Sequence, residues 1–157
     1  MKQDRFLTGI LIGIGVLVLA ALALFFMRKD TKEYMTADSP TAAVFNYVLA
    51  VTNKDYKTAY SYLADKEYKP TYEQFRQSFF NGSVNADNVG VDVGEEEVDC
   101  EDALVNLTLV YSASDPFSGG YSNTDRAQLV QQNGAWKLIY MPYNFWGYDW
   151  YQEPPKP

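Results

Sequence analysis

Six carboxylates stand within nine residues in the stretch GEEEVDCED: Glu95, Glu96, Glu97, Asp99, Glu101 and Asp102. Oxygen-rich loops hold hard cations. The overlapping stretch NADNVGVDVGEE follows the spacing of a calcium loop, with Asn85, Asp87, Gly90 and Glu96 at its first, third, sixth and twelfth positions. Val89 takes the fifth position, where an oxygen ligand belongs, and strand-like alternation replaces the flanking helices. No metal ligand is therefore assigned, and the acidic run reads as a solvated turn whose like charges keep a sheet edge soluble. Histidine is absent and Cys100 is the single cysteine. An intramolecular disulfide, a Cys/His zinc site and Ser-His or Cys-His nucleophile pairs are thus excluded by inventory. Cys100 reads as a small buried apolar residue, or as the partner of a thiol on another chain. No catalytic residue and no cofactor is assigned.

A second conspicuous stretch, PYNFWGYDWYQEPPKP, carries six aromatic residues from Tyr143 to Tyr151. Phe145, Trp146, Trp150 and Tyr151 are the candidate partner-binding or interface residues, because Trp and Tyr are favoured anchors at protein contacts. Two other readings stand beside that one. The rings fold back and cap the domain, or they sit at a bilayer interface.

The elements that must position these stretches begin with an apolar run. Phe6 to Met27 carries no charge, and its 22 residues would span about 33 Å as a helix, close to the roughly 30 Å of a hydrocarbon core. The run is too long for the apolar part of a signal peptide, although Ala21-Leu22-Ala23 matches a small-x-small cleavage site. The expectation is one uncleaved transmembrane helix, bounded by Phe6 and Met27, making the chain a single-pass cell-membrane protein with its domain on the extracytoplasmic side. Gly9 and Gly13 form the G-x-x-x-G spacing that lets membrane helices approach, or are simply glycines of the kind common in such helices. Residues 1–29 carry a charge of +3. The remainder, with nine Lys and Arg against nineteen Asp and Glu, carries −10, and the whole chain −7. So acidic a domain is repelled by phosphate backbones, which argues against nucleic-acid binding.

The organisation expected is an anchor at 1–29, a polar tether at 30–37, an α+β domain at 38–141 and an aromatic, Pro-rich tail at 142–157. Ser39 and Pro40 open a first helix in which Val44, Tyr47, Val48 and Val51 recur at helical spacing. Tyr56, Ala59, Tyr60 and Leu63 mark a second helix, and Thr71 with Gln74 a capping box for a third. The period then falls to two. Val89, Val91 and Val93 alternate up to Gly94, then Val105, Leu107, Leu109 and Tyr111. Asn133-Gly134 signals a type I′ hairpin into a strand bearing Trp136, Leu138 and Tyr140. Helices followed by an antiparallel meander make an α+β fold, here three helices packed on a curved sheet of about four strands.

SPTAAVFNYVLAVTNKDYKTAYSYLA, then YEQF, then strands ending in NGAWKLIY resemble the nuclear-transport-factor-2-like (cystatin-like α+β) superfamily, and within it membrane-anchored bacterial accessory domains of unassigned function. The resemblance covers about residues 38–141. It implies a cone of three helices wrapped by a bent sheet, with a pocket between them lined by Tyr60, Phe75, Tyr111, Trp136 and Tyr140. The plainer reading, favoured because aromatics at matching periods are usually packing, is that these rings fill the core. Some relatives are enzymes that use an acid/base Asp or His. With no histidine and no Asp placed inside the cone by spacing, no activity carries over. The function read from the sequence is a single-pass, membrane-anchored, non-enzymatic binding or scaffolding domain at the cell envelope, with a protein partner or self-association. The alternatives are a small-molecule or enzymatic pocket in the cone, and a component of a multi-protein export or conjugation channel.

Overall fold

The computed structural model of the chain describes residues 5–27, 33–35, 38–112 and 119–153. Most of the turn-rich loop before Tyr121, most of the tether and the final Pro154–Pro157 lie outside the described residues. The chain divides into two units, Met1–Glu33 and Tyr34–Pro157.

The first unit holds helix α1 (Arg5–Met27). Its residues described with their side chains, 8–24, are all exposed. Among the described residues no helix is long and apolar enough to cross a membrane. The transmembrane helix expected in the fold, the integral membrane partnership and the single-pass, extracytoplasmic localisation are corrected accordingly. A Cβ built on Gly9 or Gly13 meets nothing within 4 Å among the described residues. The side chains of Phe6 and Met27 lie outside the described residues.

The second unit is the α+β domain. Helix α2 (Pro40–Thr52) starts where Ser39 accepts a hydrogen bond from the Ala42 amide, with Pro40 in the first turn. It is buried nearly all round, Val44, Tyr47 and Ala50 completely so. It ends in a Schellman pattern in which the Lys54 amide donates to Val51 O and the Asp55 amide to Ala50 O. Lys54 takes the left-handed position, φ 59°, that glycine usually fills.

Helix α3 (Tyr56–Ser61) is capped by Asp55. It is shorter than the Tyr56-to-Leu63 periodicity predicts, for a physical reason. The Leu138 amide takes Tyr62 O and the Ala64 amide takes Leu138 O, so residues 62–64 leave the helix to pair with an otherwise open sheet edge. Helix α4 (Tyr72–Phe80) opens with the predicted Thr71–Gln74 capping box.

Four antiparallel strands follow in the order β1 (Val89–Asp99), β2 (Asp102–Tyr111), β3 (Tyr121–Gln132), β4 (Ala135–Tyr140). Asn133 and Gly134 have φ of 53° and 78°, as a type I′ turn requires. β1 does not stop at Gly94. It continues through a bulge between Val93 and Glu96, which resets the phase so that Glu96 pairs with Val105 and Val98 with Ala103. The hairpin tip carries Cys100 at φ 54° and exposed, which corrects the buried reading of that thiol. Inner-face residues of the sheet, Val105, Leu107, Leu109, Ala127, Leu129 and Leu138, close the core against α2, α3 and α4.

Candidate functional site

Residues 141–152 return to the core. Met141 and Phe145 are fully buried, and Trp146 and Trp150 nearly so. The Tyr47 hydroxyl, itself buried, donates to Phe145 O at 2.6 Å. Phe75 of α4 packs on Trp150 at 4.9 Å between ring centroids. Trp146 meets Trp150 edge-on at 5.1 Å and stacks on Tyr151 at 5.7 Å. The Tyr151 hydroxyl donates to Ala64 O at 2.6 Å and its amide to Tyr68 O at 3.0 Å. Burial, then the nearby Tyr60 and Asp65, pushes the Tyr151 phenol far above its ordinary range. Of the four interface candidates, Phe145, Trp146 and Trp150 thus lie inside the domain and Tyr151 is half-buried.

Gly147 makes this packing feasible. A Cβ there would sit 2.2 Å from Trp150 Nε1. That indole nitrogen is buried and, among the described residues, has no hydrogen-bond partner, an uncommon condition for a buried Trp.

The five pocket candidates divide. Phe75 is fully buried and meets Tyr60 edge-on at 5.5 Å. The Tyr60 hydroxyl donates to Pro70 O at 2.8 Å, and the Lys69 ammonium lies 4.7 Å from its ring. Trp136 is buried in β4. Tyr111 stacks on Tyr121 at 4.4 Å and donates to Asn144 Oδ1 at 2.8 Å. Its phenol is pushed up to about 12, chiefly by the Tyr143 hydroxyl beside it and then by burial. Tyr140 is 39% exposed, and burial followed by Asp125 raises its phenol.

Tyr140 borders a groove of about 530 Å³ whose floor includes Trp146 and Trp150 and whose rim includes Tyr143 and Tyr148. Tyr143 and Tyr148 are 69% and 89% exposed. The four interface candidates read from the sequence include neither Tyr143 nor Tyr148. They also omit Asn144, which is buried and ties the tail to the rest of the unit. Besides accepting from Tyr111, Asn144 donates to Asn85 O at 3.2 Å. The turn-forming residues beside Tyr143 and Tyr148, Pro142 and Gly147, mark chain reversals but not which rings those reversals throw outward.

The groove offers apolar ring faces below and phenol hydroxyls above, an arrangement for stacking and hydrogen bonding. Among the described residues no carboxylate is hydrogen-bonded to a phenol of the groove, and no cluster of carboxylate, cysteine or histidine side chains is arranged to hold a metal ion.

No family model and no curated protein matches the chain. Solved structures do. A SEC-C motif containing protein from Rhodopseudomonas palustris matches with a TM-score of 0.50 and 15% identity, over 66% of this chain and 77% of that one. An uncharacterized cystatin fold protein from Novosphingobium aromaticivorans matches at 0.41 and 11%, over 66% and 100%. A structure called a calcium/calmodulin dependent protein kinase II association domain, from Xanthomonas campestris, matches at 0.38 and 17%, over 69% and 92%. The last two likenesses are too loose to argue from. At these identities what is shared is the fold alone.

Proposed function

We propose that the α+β unit is a non-enzymatic binding domain that takes a protein partner on the groove formed by its C-terminal residues. The observation that carries this reading is the exposure of Tyr143 and Tyr148, 69% and 89%, beside Tyr140 on a floor of nearly buried Trp146 and Trp150. Partner-binding surfaces favour such rings, because a tyrosine offers a large contact face at small conformational cost and a hydroxyl that stays satisfied in water. The tryptophans supply rigidity rather than contact. Packed on Phe75 and Tyr151, they hold the rim in place before a partner arrives, which lowers the ordering cost of binding. Phe145, Trp146, Trp150 and Tyr151 then serve the interface from beneath, and Tyr140, Tyr143 and Tyr148 touch the partner. Self-association is the form of this reading that an assembly of many copies would use.

A photo-crosslinking phenylalanine analogue placed at Tyr148 of the full chain, in cells that make it, tests the reading. The expected result is one discrete adduct, lost when Tyr143→Ser is added and absent when the analogue sits at Phe80. An adduct of twice the 17.8 kDa chain mass identifies a second copy as the partner. No adduct at Tyr148, or the same adduct from both positions, overturns the proposal.

A further inference from the structure

A second cleft, of about 590 Å³, opens where α2 and α4 end and β1 begins, and shares no lining residue with the tyrosine groove. Its floor includes the buried Val51 and Val84. One part of its lining is aromatic. Tyr56 stacks on Phe79 at 4.9 Å and meets Phe80 edge-on at 5.8 Å. Phe80 is 61% exposed, an unusual exposure for an apolar ring, and is held by the Arg76 guanidinium 4.8 Å from its centroid.

Polar residues, Asn81, Asn85, Asp87 and Asn88 among them, also line the cleft. The Asn81 and Asn85 side chains use Oδ1 to accept the amides of Ser83 and Asp87. Those bonds fix the amide planes and turn a pair of N–H donors from each to other uses. The charged side chains of the lining are Lys54 and Asp87, so the fixed charge sums to zero.

We propose that this cleft binds a neutral polyhydroxylated ligand, a sugar of one or two pyranose rings. A pyranose has an apolar face of C–H groups and an edge of hydroxyls. The Tyr56–Phe79–Phe80 wall matches the face, and planar amide and carboxylate groups match neighbouring hydroxyls, each of which both donates and accepts. The volume falls within the roughly 300–1,000 Å³ of small-molecule sites. An anion would meet Asp87 and a cation Lys54, so an ion gains nothing from the balance of charge.

Saturation-transfer NMR on the full chain tests this with maltose, cellobiose and diacetylchitobiose as probes, and with choline and inorganic phosphate as the charged comparisons. Transfer to the ring C–H protons of at least one sugar is expected. Phe80→Ala and Asp87→Ala, both at exposed positions, should each weaken that binding about tenfold or more. Phe80→Tyr should keep it, and Tyr148→Ala in the other groove should leave it unchanged. Transfer to none of the three sugars, binding of choline or phosphate in their place, or sugar binding indifferent to Phe80→Ala overturns the proposal. None of these outcomes bears on the tyrosine groove.

Discussion

Two stretches stand out from the rest of the sequence, the acidic residues 94–102 and the aromatic residues 143–151, and the fold treats them in opposite ways. The aromatic stretch is drawn inward. Phe145, Trp146 and Trp150 join the same buried cluster as Val44, Leu109 and Leu138, so a segment at the end of the chain completes the core of the domain. The acidic stretch is exposed throughout, residues 94–102 without exception, although most of it is paired in the β1–β2 hairpin. Both outcomes follow from solvation. Burying a large ring is worth on the order of 2–3 kcal/mol, whereas burying an unpaired carboxylate costs several. Density of one residue type marks both stretches. The direction each takes is set by the sign of its transfer free energy.

If the aromatic stretch is core, deleting one of its rings should act as a core mutation does. Phe145→Ala removes a fully buried side chain and keeps the backbone carbonyl that anchors the Tyr47 hydroxyl. It should cost about 3–5 kcal/mol, read as a lowered urea midpoint with little change in slope. A loss below about 1 kcal/mol would mean that the tail is laid on the domain rather than built into it.

Gly147→Ala sharpens the same side of the comparison. The new methyl would lie 2.2 Å from Trp150 Nε1, a distance no side chain tolerates, so Trp150 must shift off Phe75. The expected cost is about 1–3 kcal/mol, with a red shift in tryptophan emission as the indole meets water. A variant that keeps both wild-type stability and wild-type emission would show that the packing of Trp150 is slack.

Alkaline titration addresses the phenols that the fold draws in. Burial raises the Tyr47 phenol well above 10, and burial first among other causes raises that of Tyr151. In the unfolded chain both lose their protons near 10. Their contribution to stability is therefore complete below pH 10 and declines as pH climbs toward the folded values. For Tyr47 the decline is about 1.4 kcal/mol per pH unit. Absorbance at 295 nm should show part of the thirteen tyrosines ionising with the fold intact and the rest only as circular dichroism is lost. A single ionisation of all of them near pH 10 in a folded chain would contradict the burial.

How much of this could be read from the residues depends on the range of the interaction involved. The α+β order, the Ser39 and Thr71 caps and the Asn133-Gly134 turn are encoded within four residues of where they act, and the structure has them where the sequence puts them. Three features depend on distant partners and were not legible. Helix α3 stops early because Leu138 claims the backbone of residues 62–64. Strand β1 runs past Gly94 through a bulge against β2, where Gly94 lies close to Asn106: a Cβ at 94 would sit 3.1 Å from Asn106 O. The exposed rim of the groove, Tyr143 and Tyr148, emerges only once the tryptophans beside it are known to be buried. The long apolar run at the N-terminus was legible as a helix, and α1 covers it. A membrane span was more than its described residues support.

The smallest expected effect comes from the acidic side, where one carboxylate differs from its neighbours. The bulge in β1 turns Glu96 toward α2, where its Oε2 accepts from both the amide and the hydroxyl of Thr41, at 2.9 and 2.6 Å. A helix N-terminus leaves its first amides unpaired and carries partial positive charge, so an anion there is favoured twice over. The geometry shares the work with Ser39, which takes the Ala42 amide. Glu96→Gln keeps an oxygen for Thr41 but removes the charge. It should cost about 0.5 kcal/mol, a figure held down by solvent screening at an exposed position. The cost should shrink in 1 M salt, where charge effects at the surface are largely screened. Glu95→Gln and Glu97→Gln, which lack that helix contact, should be neutral or slightly stabilising as like charges are thinned. Equal responses from all three positions would mean that the bulge confers nothing on Glu96. The acidic stretch would then be uniform solvated charge, with no member recruited by the fold.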